Sequence, residues 1–156
     1  MAQELTKWDY RFLGLASTFS SFSKDRTKVG AVLVRPDKTI ASSGFNGLVP
    51  GMDDELYLKD RDFKNLIVLH AEENAIHHCK DQYMDGYRMY VWGLTPCGHC
   101  ASVMSTKGIK QVLAVSATVS TDWNASCEAA KTVFAATGIE FIDCTEKFFF
   151  EGKRIQ

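Results

Sequence analysis

The first hydrophobic pattern in the chain has the spacing of a helix. Apolar side chains recur near the N-terminus at alternating steps of four and three residues: Trp8, Phe12, Leu15, Phe19 and Phe22. This spacing is typical of an amphipathic helix that packs one face on a core. We therefore predict a first helix whose stripe faces the core, ending at the polar segment 23–26.

Short β-branched runs follow and predict a hairpin. Residues 29–34 are apolar, residues 36–38 supply a turn, and residues 39–45 complete the second strand. Residues 47–66 then form a connection rich in charged residues. A connection of that length in a compact domain is usually functional or contains a short helix, so we expect it to border a site.

Helix and strand patterns alternate along the rest of the chain. The predicted elements are a helix at 70–80, a strand at 88–92, a helix at 97–107, a strand at 112–115, a long helix and a strand at 139–142. Asp122 can cap the long helix and Gly138 can end it. Because crossovers are right-handed, this order predicts an α/β fold, a three-layer α-β-α sandwich with a mixed five-stranded sheet.

Composition and charge narrow the class of protein. The chain has 156 residues, 46% hydrophobic and 24% charged, which is enough to bury a core without disulfides. No repeat or linker divides it, so we expect residues 1–156 to form a single domain. Its 18 Lys and Arg against 19 Asp and Glu give a net charge of −1. Nucleic-acid binding is disfavoured, because no excess of positive charge is available for a phosphate backbone.

The compartment follows from the N-terminus and the cysteines. Charges are scattered through residues 1–20, where a secretion signal needs an unbroken apolar stretch. No apolar run approaches the roughly 20 residues that span a bilayer. We expect a cytoplasmic protein with no membrane partner. Five cysteines without an export signal favour reduced thiols or metal ligands over disulfides.

Two segments, residues 70–72 and 96–100, carry candidate metal chemistry. An imidazole and two thiolates suit tetrahedral Zn²⁺, so we predict His70, Cys97 and Cys100 as its ligands, with the fourth position open to water. The two cysteines lie three residues apart at the start of a predicted helix, where they share a face. The positive end of the helix also favours thiolates.

Glu72 turns the predicted metal site into a hypothesis for an enzyme. Its carboxylate can take a proton from a zinc-activated water and deliver it to a ring nitrogen and then to a departing amine. Residues two apart point to opposite sides of an ideal helix, so His70 and Glu72 can share a site only at the helix entrance. A structural zinc site is the alternative, but such a site normally has four protein ligands.

The His-Ala-Glu segment followed by Pro-Cys-x-x-Cys resembles the signature of the zinc-dependent cytidine and deoxycytidylate deaminase superfamily. Further similarity to the deoxycytidylate deaminase branch lies in four segments: 23–25, 27–31, 44–47 and 69–76. The resemblance implies a five-stranded sheet between helices. It also implies that His70, Cys97 and Cys100 bind zinc and that Glu72 is the proton shuttle.

The same resemblance implies substrate contacts. Asn46 is expected to contact the sugar at the rim of the pocket, and the backbone N–H of Ala71 to donate to the base carbonyl. The candidate phosphate contacts are three basic residues of one loop: Lys24, Arg26 and Lys28. One segment departs from the family, because familiar members carry Tyr-His-Asp after the fourth strand and this chain has residues 117–123 there.

We predict hydrolytic deamination of a cytosine nucleotide, most directly dCMP to dUMP, with release of ammonia. Two alternatives stay open: a deaminase of another amino-heterocycle (cytidine, or a purine base or nucleoside), and a non-catalytic zinc-binding regulatory module. A nucleic-acid-editing deaminase is disfavoured, since the chain lacks a clear basic channel.

The expected partner is a small-molecule nucleotide. We also expect a homo-oligomer, a dimer or a hexamer, with Trp92, Trp123 and residues 148–150 in core or subunit contacts.

Overall fold

A computed structural model describes residues 4–117 and 123–151. The strands of this part of the chain are β1 (Gly30–Val34), β2 (Ile40–Phe45), β3 (Arg88–Gly93), β4 (Gln111–Ser116) and β5 (Glu140–Asp143). They form one sheet in the order β2-β1-β3-β4-β5. β1 pairs antiparallel with β2 and β3, whereas β3, β4 and β5 run parallel. The predicted mixed five-stranded sheet is confirmed.

The helices of the described residues occupy both faces of this sheet. They are α1 (Lys7–Ser20), α2 (Asp54–Tyr57), α3 (Arg61–Ile67), α4 (Ala71–His78), α5 (Gly98–Thr106), α6 (Asn124–Thr137) and α7 (Thr145–Glu151). None of the helices in the described ranges is long and apolar enough to cross a membrane.

Two hydrophobic clusters, one on each face of the sheet, give the fold its three layers. Met89 and Val91 of β3 belong to the cluster under α4, α5 and α6, while Tyr90 belongs to the cluster under α1 and α7. This is the alternation expected of a strand buried on both faces. The predicted three-layer α-β-α sandwich is therefore confirmed.

The buried face of α1 is rotated from the predicted stripe. Leu13 and Ala16 are fully buried, whereas the side chains of Trp8 and Phe22 are 40% and 54% exposed. A Cβ added at Gly30 of β1 would lie 2.0 Å from the carbonyl oxygen of Ala16, so helix and strand approach backbone to backbone. Only small residues fit at that contact, and the large aromatic side chains flank it.

Three helices go beyond the predicted order. The connection 47–66 contains α2 and nearly all of α3, which ends at Ile67, and α7 follows β5. α7 packs Phe148 against Trp92, with ring centroids 4.8 Å apart. Gly138 ends α6 in a left-handed conformation (φ 78°), as predicted. The predicted cap, Asp122, lies outside the described residues.

Candidate metal centre and active site

The entrance of α4 positions two of the predicted site residues. His70 has an extended backbone (φ −75°, ψ 158°) and precedes the helix, whose first residue is Ala71. Leu69 forms an isolated bridge with Gly47, just after β2. A Cβ at Gly44 would lie 2.5 Å from the Ala71 carbonyl oxygen, so the start of α4 rests directly on β2. These contacts hold His70 at the end of the sheet.

The entrance of α5 brings two thiols to the same place. Cys97 immediately precedes α5. The backbone N–H of Cys100 donates to the Sγ atom of Cys97 at 3.4 Å. The Sγ atoms of Cys97 and Cys100 each lie 3.4 Å from Nδ1 of His70. Within the described residues these three side chains form a group whose ligand atoms all lie within 4.8 Å of one another. One nitrogen and two sulfur donors at such spacing fit Zn²⁺ and leave a fourth tetrahedral position.

Glu72 lies in the first turn of α4 and is 3% exposed. Because His70 lies before the helix, the two side chains avoid the opposite orientations that an ideal helix would impose. The carboxyl group of Glu72 interacts with the side chains of His70 and Cys100. Burial raises the pKa of Glu72, while the neighbouring His70 opposes the rise. A buried carboxyl group with a raised pKa beside a metal-binding group is suited to accept and release a proton.

Hydrogen bonds within the group of His70, Cys97 and Cys100 shift the pKa values of all three side chains. Hydrogen bonds with Cys100 and His70 lower the pKa of Cys97 far below its usual value. The hydrogen bond with Cys97 raises the pKa of His70, and the Glu72 carboxylate adds to this rise. The Cys97 hydrogen bond and burial raise the pKa of Cys100. The hydrogen bonds from Cys100 and His70 thus favour the thiolate form of Cys97, which is the form that a zinc site requires.

A cavity of about 360 Å³ opens onto this group. Its walls come from the entrance of α4 and from α5, α6 and the residues just before them: His70, Cys97, Gly98, His99, Trp123, Ala125, Ser126 and Ala129. His99 is exposed, and its Nε2 atom lies 3.6 Å from a carboxylate oxygen of Glu73. Trp123, predicted as a core or subunit contact, is half-buried and packs against the core cluster under α4, α5 and α6. It also lines this cavity. Its position depends on where α6 packs, so no local sequence pattern indicated it.

The predicted phosphate contacts separate in the structure. Lys24 and Arg26 line a cleft of about 380 Å³, whose other walls belong to the α2–α3 segment: Asp54, Glu55, Leu58, Lys59 and Arg61. Lys28 does not line this cleft, and its Nζ atom donates to the carbonyl oxygen of Ser23. Lys59 and Arg61 were not predicted, because only the packing of residues 47–66 brings them opposite Lys24.

A buried ion pair fastens the basic loop to α3. Nζ of Lys64 lies 2.7 Å from Oδ2 of Asp25, and the two side chains are 6% and 3% exposed. Arg61 lies 4.0 Å from the other carboxylate oxygen of Asp25. The backbone N–H of Thr27 also donates to this carboxylate. The conformation of the loop is therefore coupled to α3.

Asn46 joins the same loop to the metal centre. Its Oδ1 accepts from the Val29 N–H at 2.9 Å, and its Nδ2 donates to the Thr27 carbonyl at 2.7 Å. The Ser23 hydroxyl donates to the Asn46 carbonyl at 2.9 Å. The next residue, Gly47, pairs with Leu69 beside His70. Asn46 is thus a buried link between the basic loop and the entrance of α4.

The fold and this donor group define a zinc-dependent hydrolase. A family model of the cytidine and deoxycytidylate deaminase zinc-binding region matches residues 6–116. The chain belongs to this family. It is 34% identical over 139 residues to an uncharacterised deaminase of Aliivibrio fischeri, covering 87% of this chain and 92% of the relative.

Two further comparisons concern deoxycytidylate deaminases. The mouse enzyme is 32% identical over 149 residues, covering 91% of this chain and 82% of the mouse chain. The crystal structure of the dCMP deaminase from cyanophage S-TIM5 in complex with dCMP and dUMP has a TM-score of 0.68 and 26% identity. The match covers 89% of this chain and 98% of the phage chain.

Proposed function

We propose that this protein deaminates dCMP, consuming water and producing dUMP and ammonia. The observation that carries the proposal is the buried carboxyl group of Glu72 beside the nitrogen and sulfur donors of His70, Cys97 and Cys100. A purely structural zinc site has no use for this carboxyl group. Support for the nucleotide comes from the mouse deoxycytidylate deaminase and from the phage enzyme bound to dCMP and dUMP.

In this proposal His70, Cys97 and Cys100 would hold a zinc ion. When bound, the ion would activate a water molecule to serve as the nucleophile for C4 of the base. Glu72 would accept one proton of the attacking water and pass it to N3 of the base. It would then carry the water's second proton, from the new hydroxyl on C4, to the amine, which leaves as ammonia as the C4–N bond breaks. Ala71 donates its backbone N–H to the base carbonyl. As the first residue of α4, it has no helical acceptor for that N–H.

The cleft between the basic loop and the α2–α3 segment would receive the 5′-phosphate. Four cations and two carboxylates line it, a net charge of +2. A phosphate monoester carries close to two negative charges at neutral pH and would balance this excess. Lys24 lies 3.4 Å from Asp54, whereas Arg26 and Lys59 have no ion pair within the described residues. These two cations are the most available for charge-assisted hydrogen bonds.

Asn46 and Lys28 take supporting roles in the same proposal. The carboxamide of Asn46 already bonds to Val29 and Thr27. A sugar hydroxyl would therefore use its remaining oxygen lone pair or amide hydrogen. The ammonium group of Lys28 bonds to the Ser23 carbonyl within its own loop. We propose that Lys28 does not contact the phosphate, and that its bond to Ser23 stabilises the loop that carries Lys24 and Arg26.

The proposal is tested by measuring ammonia release from zinc-loaded protein with dCMP, deoxycytidine, cytidine, and adenine and guanine bases, nucleosides and nucleotides. One or two phosphate contacts contribute about 1.5 to 3 kcal/mol each, so kcat/KM for dCMP should exceed that for deoxycytidine at least about tenfold. Added salt should reduce this advantage. Lys59→Gln should lower kcat/KM for dCMP and leave deoxycytidine unaffected. Lys131→Gln, on the exposed face of α6, serves as the control.

Other outcomes identify the alternatives directly. Equal activity on deoxycytidine and dCMP would remove the phosphate cleft from the proposal and favour a neutral amino-heterocycle as substrate. Ammonia release from a purine compound, and from none of the pyrimidines, would identify a purine as the substrate in place of dCMP. No ammonia from any compound, with zinc fully bound, would favour a non-catalytic zinc module.

A further inference from the structure

The cavity at the metal centre has one aromatic wall. The ring of Trp123 lies 5.8 Å from the ring of His70, centroid to centroid, at an interplanar angle of 55°. Apart from the exposed imidazole of His99, the rest of the α5–α6 side of the cavity is lined by small residues: Gly98, Ala125, Ser126 and Ala129. The indole is therefore the largest side chain among the residues that line this cavity.

The indole is held in place by a specific hydrogen bond. Its Nε1–H donates to the Thr95 carbonyl oxygen at 2.7 Å. The Thr95 hydroxyl lies 2.6 Å from Sγ of Cys127, one turn further along α6. Two contacts thus join the β3–α5 connection to the start of α6. They fix the orientation of the ring before any ligand arrives.

This hydrogen bond also determines what the ring can offer. With its single N–H engaged by Thr95, the indole has no free donor and presents only its aromatic surface. Such a surface recognises a planar heterocycle by stacking, which is tolerant of the hydrogen-bonding pattern of the base. Recognition at this wall therefore depends on ring shape and area.

We infer that Trp123 is a substrate-contacting residue, and that its aromatic face packs against the heterocyclic ring of the substrate at the metal centre. The inference rests on the proposed function, since it needs an amino-heterocycle as ligand. Trp123 lies at the end of the segment in which this chain lacks the Tyr-His-Asp of familiar members.

Kinetics of variants at this position provide the first test. A stacked base is worth about 1 to 3 kcal/mol, so Trp123→Ala should raise the KM for dCMP at least about fivefold. It should change kcat less and leave the zinc content intact, and Trp123→Phe should restore most of the affinity. Trp8→Phe is the matched control, because Trp8 lies on α1 and does not line the cavity. Its ring instead contacts Arg11 and Lys38.

Fluorescence provides a readout that is independent of turnover. The chain has three tryptophans, so emission of the Trp123→Phe variant isolates the contribution of Trp123. Titration with dUMP, the product, should quench the wild-type protein and the Trp8→Phe variant but leave Trp123→Phe nearly unquenched. This test needs only the conservative variant, so it holds even if Trp123→Ala does not fold.

Each contrary result has a distinct meaning. Active wild-type protein with an unchanged KM in Trp123→Ala, or equal dUMP quenching in Trp123→Phe, would overturn the inference and leave the proposed function standing. Loss of zinc from folded Trp123→Ala, with undiminished quenching in Trp123→Phe, would assign the indole to orienting His70. Wild-type protein that neither deaminates dCMP nor binds dUMP would overturn both the proposed function and this inference.

Discussion

At the scale of single residues, the proposed chemistry requires the Glu72 carboxyl group to lie beside His70. Its carboxyl group is buried, and burial raises its pKa. The extended backbone of His70 removes the conflict between two residues that lie only two positions apart. A proton carrier at this position is the feature that distinguishes a deaminase from a metal-binding module.

We expect Glu72→Gln to keep the fold and the zinc while lowering turnover at least about 100-fold. The amide has nearly the same shape but cannot accept the proton, and a positioned proton carrier commonly contributes that much. Ammonia release and metal analysis on the same preparation measure the two effects. Glu128→Gln, an exposed carboxylate on α6, is the control. Turnover close to wild type in Glu72→Gln would mean that another group moves the proton.

At the scale of elements, a polar cluster fastens the end of α4 to the sheet. Arg35, just after β1, bonds to both carboxylate oxygens of Asp81, at 2.7 and 3.1 Å. The hydroxyl of Tyr87, just before β3, donates to the same carboxylate at 2.5 Å. The hydrogen bond from Arg35 lowers the pKa of Asp81 below its ordinary value of 3.8, and Tyr87 lowers it further.

This cluster predicts a pH dependence of stability. Because the pKa of Asp81 is lower in the folded state, its contribution is fully present above 3.8 and is lost as pH falls through the folded-state pKa. Asp81→Asn should therefore lower the free energy of unfolding at pH 7 and pH 5. The difference from wild type should shrink below about pH 4.

Urea unfolding of wild type and Asp81→Asn at pH 7, 5, 4 and 3 measures this difference at each pH. Tyr87→Phe removes one hydrogen bond and keeps the carboxylate, so it should have a smaller effect. A difference that is constant down to pH 3, or that grows as the pH falls, would contradict the ionised Arg35–Asp81 pair.

At the scale of the whole molecule, zinc would join two β–α units. His70 lies at the entrance of α4 and the cysteines at the entrance of α5, two helices on the same face of the sheet. A metal ion bound there stabilises the folded chain because the unfolded chain lacks the assembled site.

We expect Cys100→Ser to lose most bound zinc and to lower the melting temperature by about 5 to 10 °C, since each kcal/mol corresponds to about 2 to 4 °C in a domain of this size. Chelation of the wild-type protein should have a similar effect, and added zinc should reverse it. Cys79→Ser, at the end of α4 away from the donor group, should behave like wild type. Full zinc occupancy in Cys100→Ser would remove this thiol from the metal site.

Much of the molecule follows from short stretches of sequence. The alternating helix and strand patterns predicted the mixed five-stranded sheet and its covering helices, because hydrophobic periodicity is a local property. The His70, Cys97 and Cys100 donors were predictable from their residue types and spacing, and the structure brings them together. The two cysteines lie within one helix entrance and His70 lies at another, and the geometry within each short segment depends little on distant contacts. The homo-oligomer stays a prediction.

Only the tertiary structure decided which surfaces face each other. The buried stripe of α1 is set by the backbone contact between Ala16 and Gly30, which periodicity cannot reveal. Lys59 enters the basic cleft through the packing of residues 47–66, and Trp123 reaches the metal centre through the packing of α6. Asp25 finds its partner Lys64 across 39 positions. Such pairings depend on burial and charge between segments that are distant in the sequence. The pattern of one segment does not indicate which other segment packs against it.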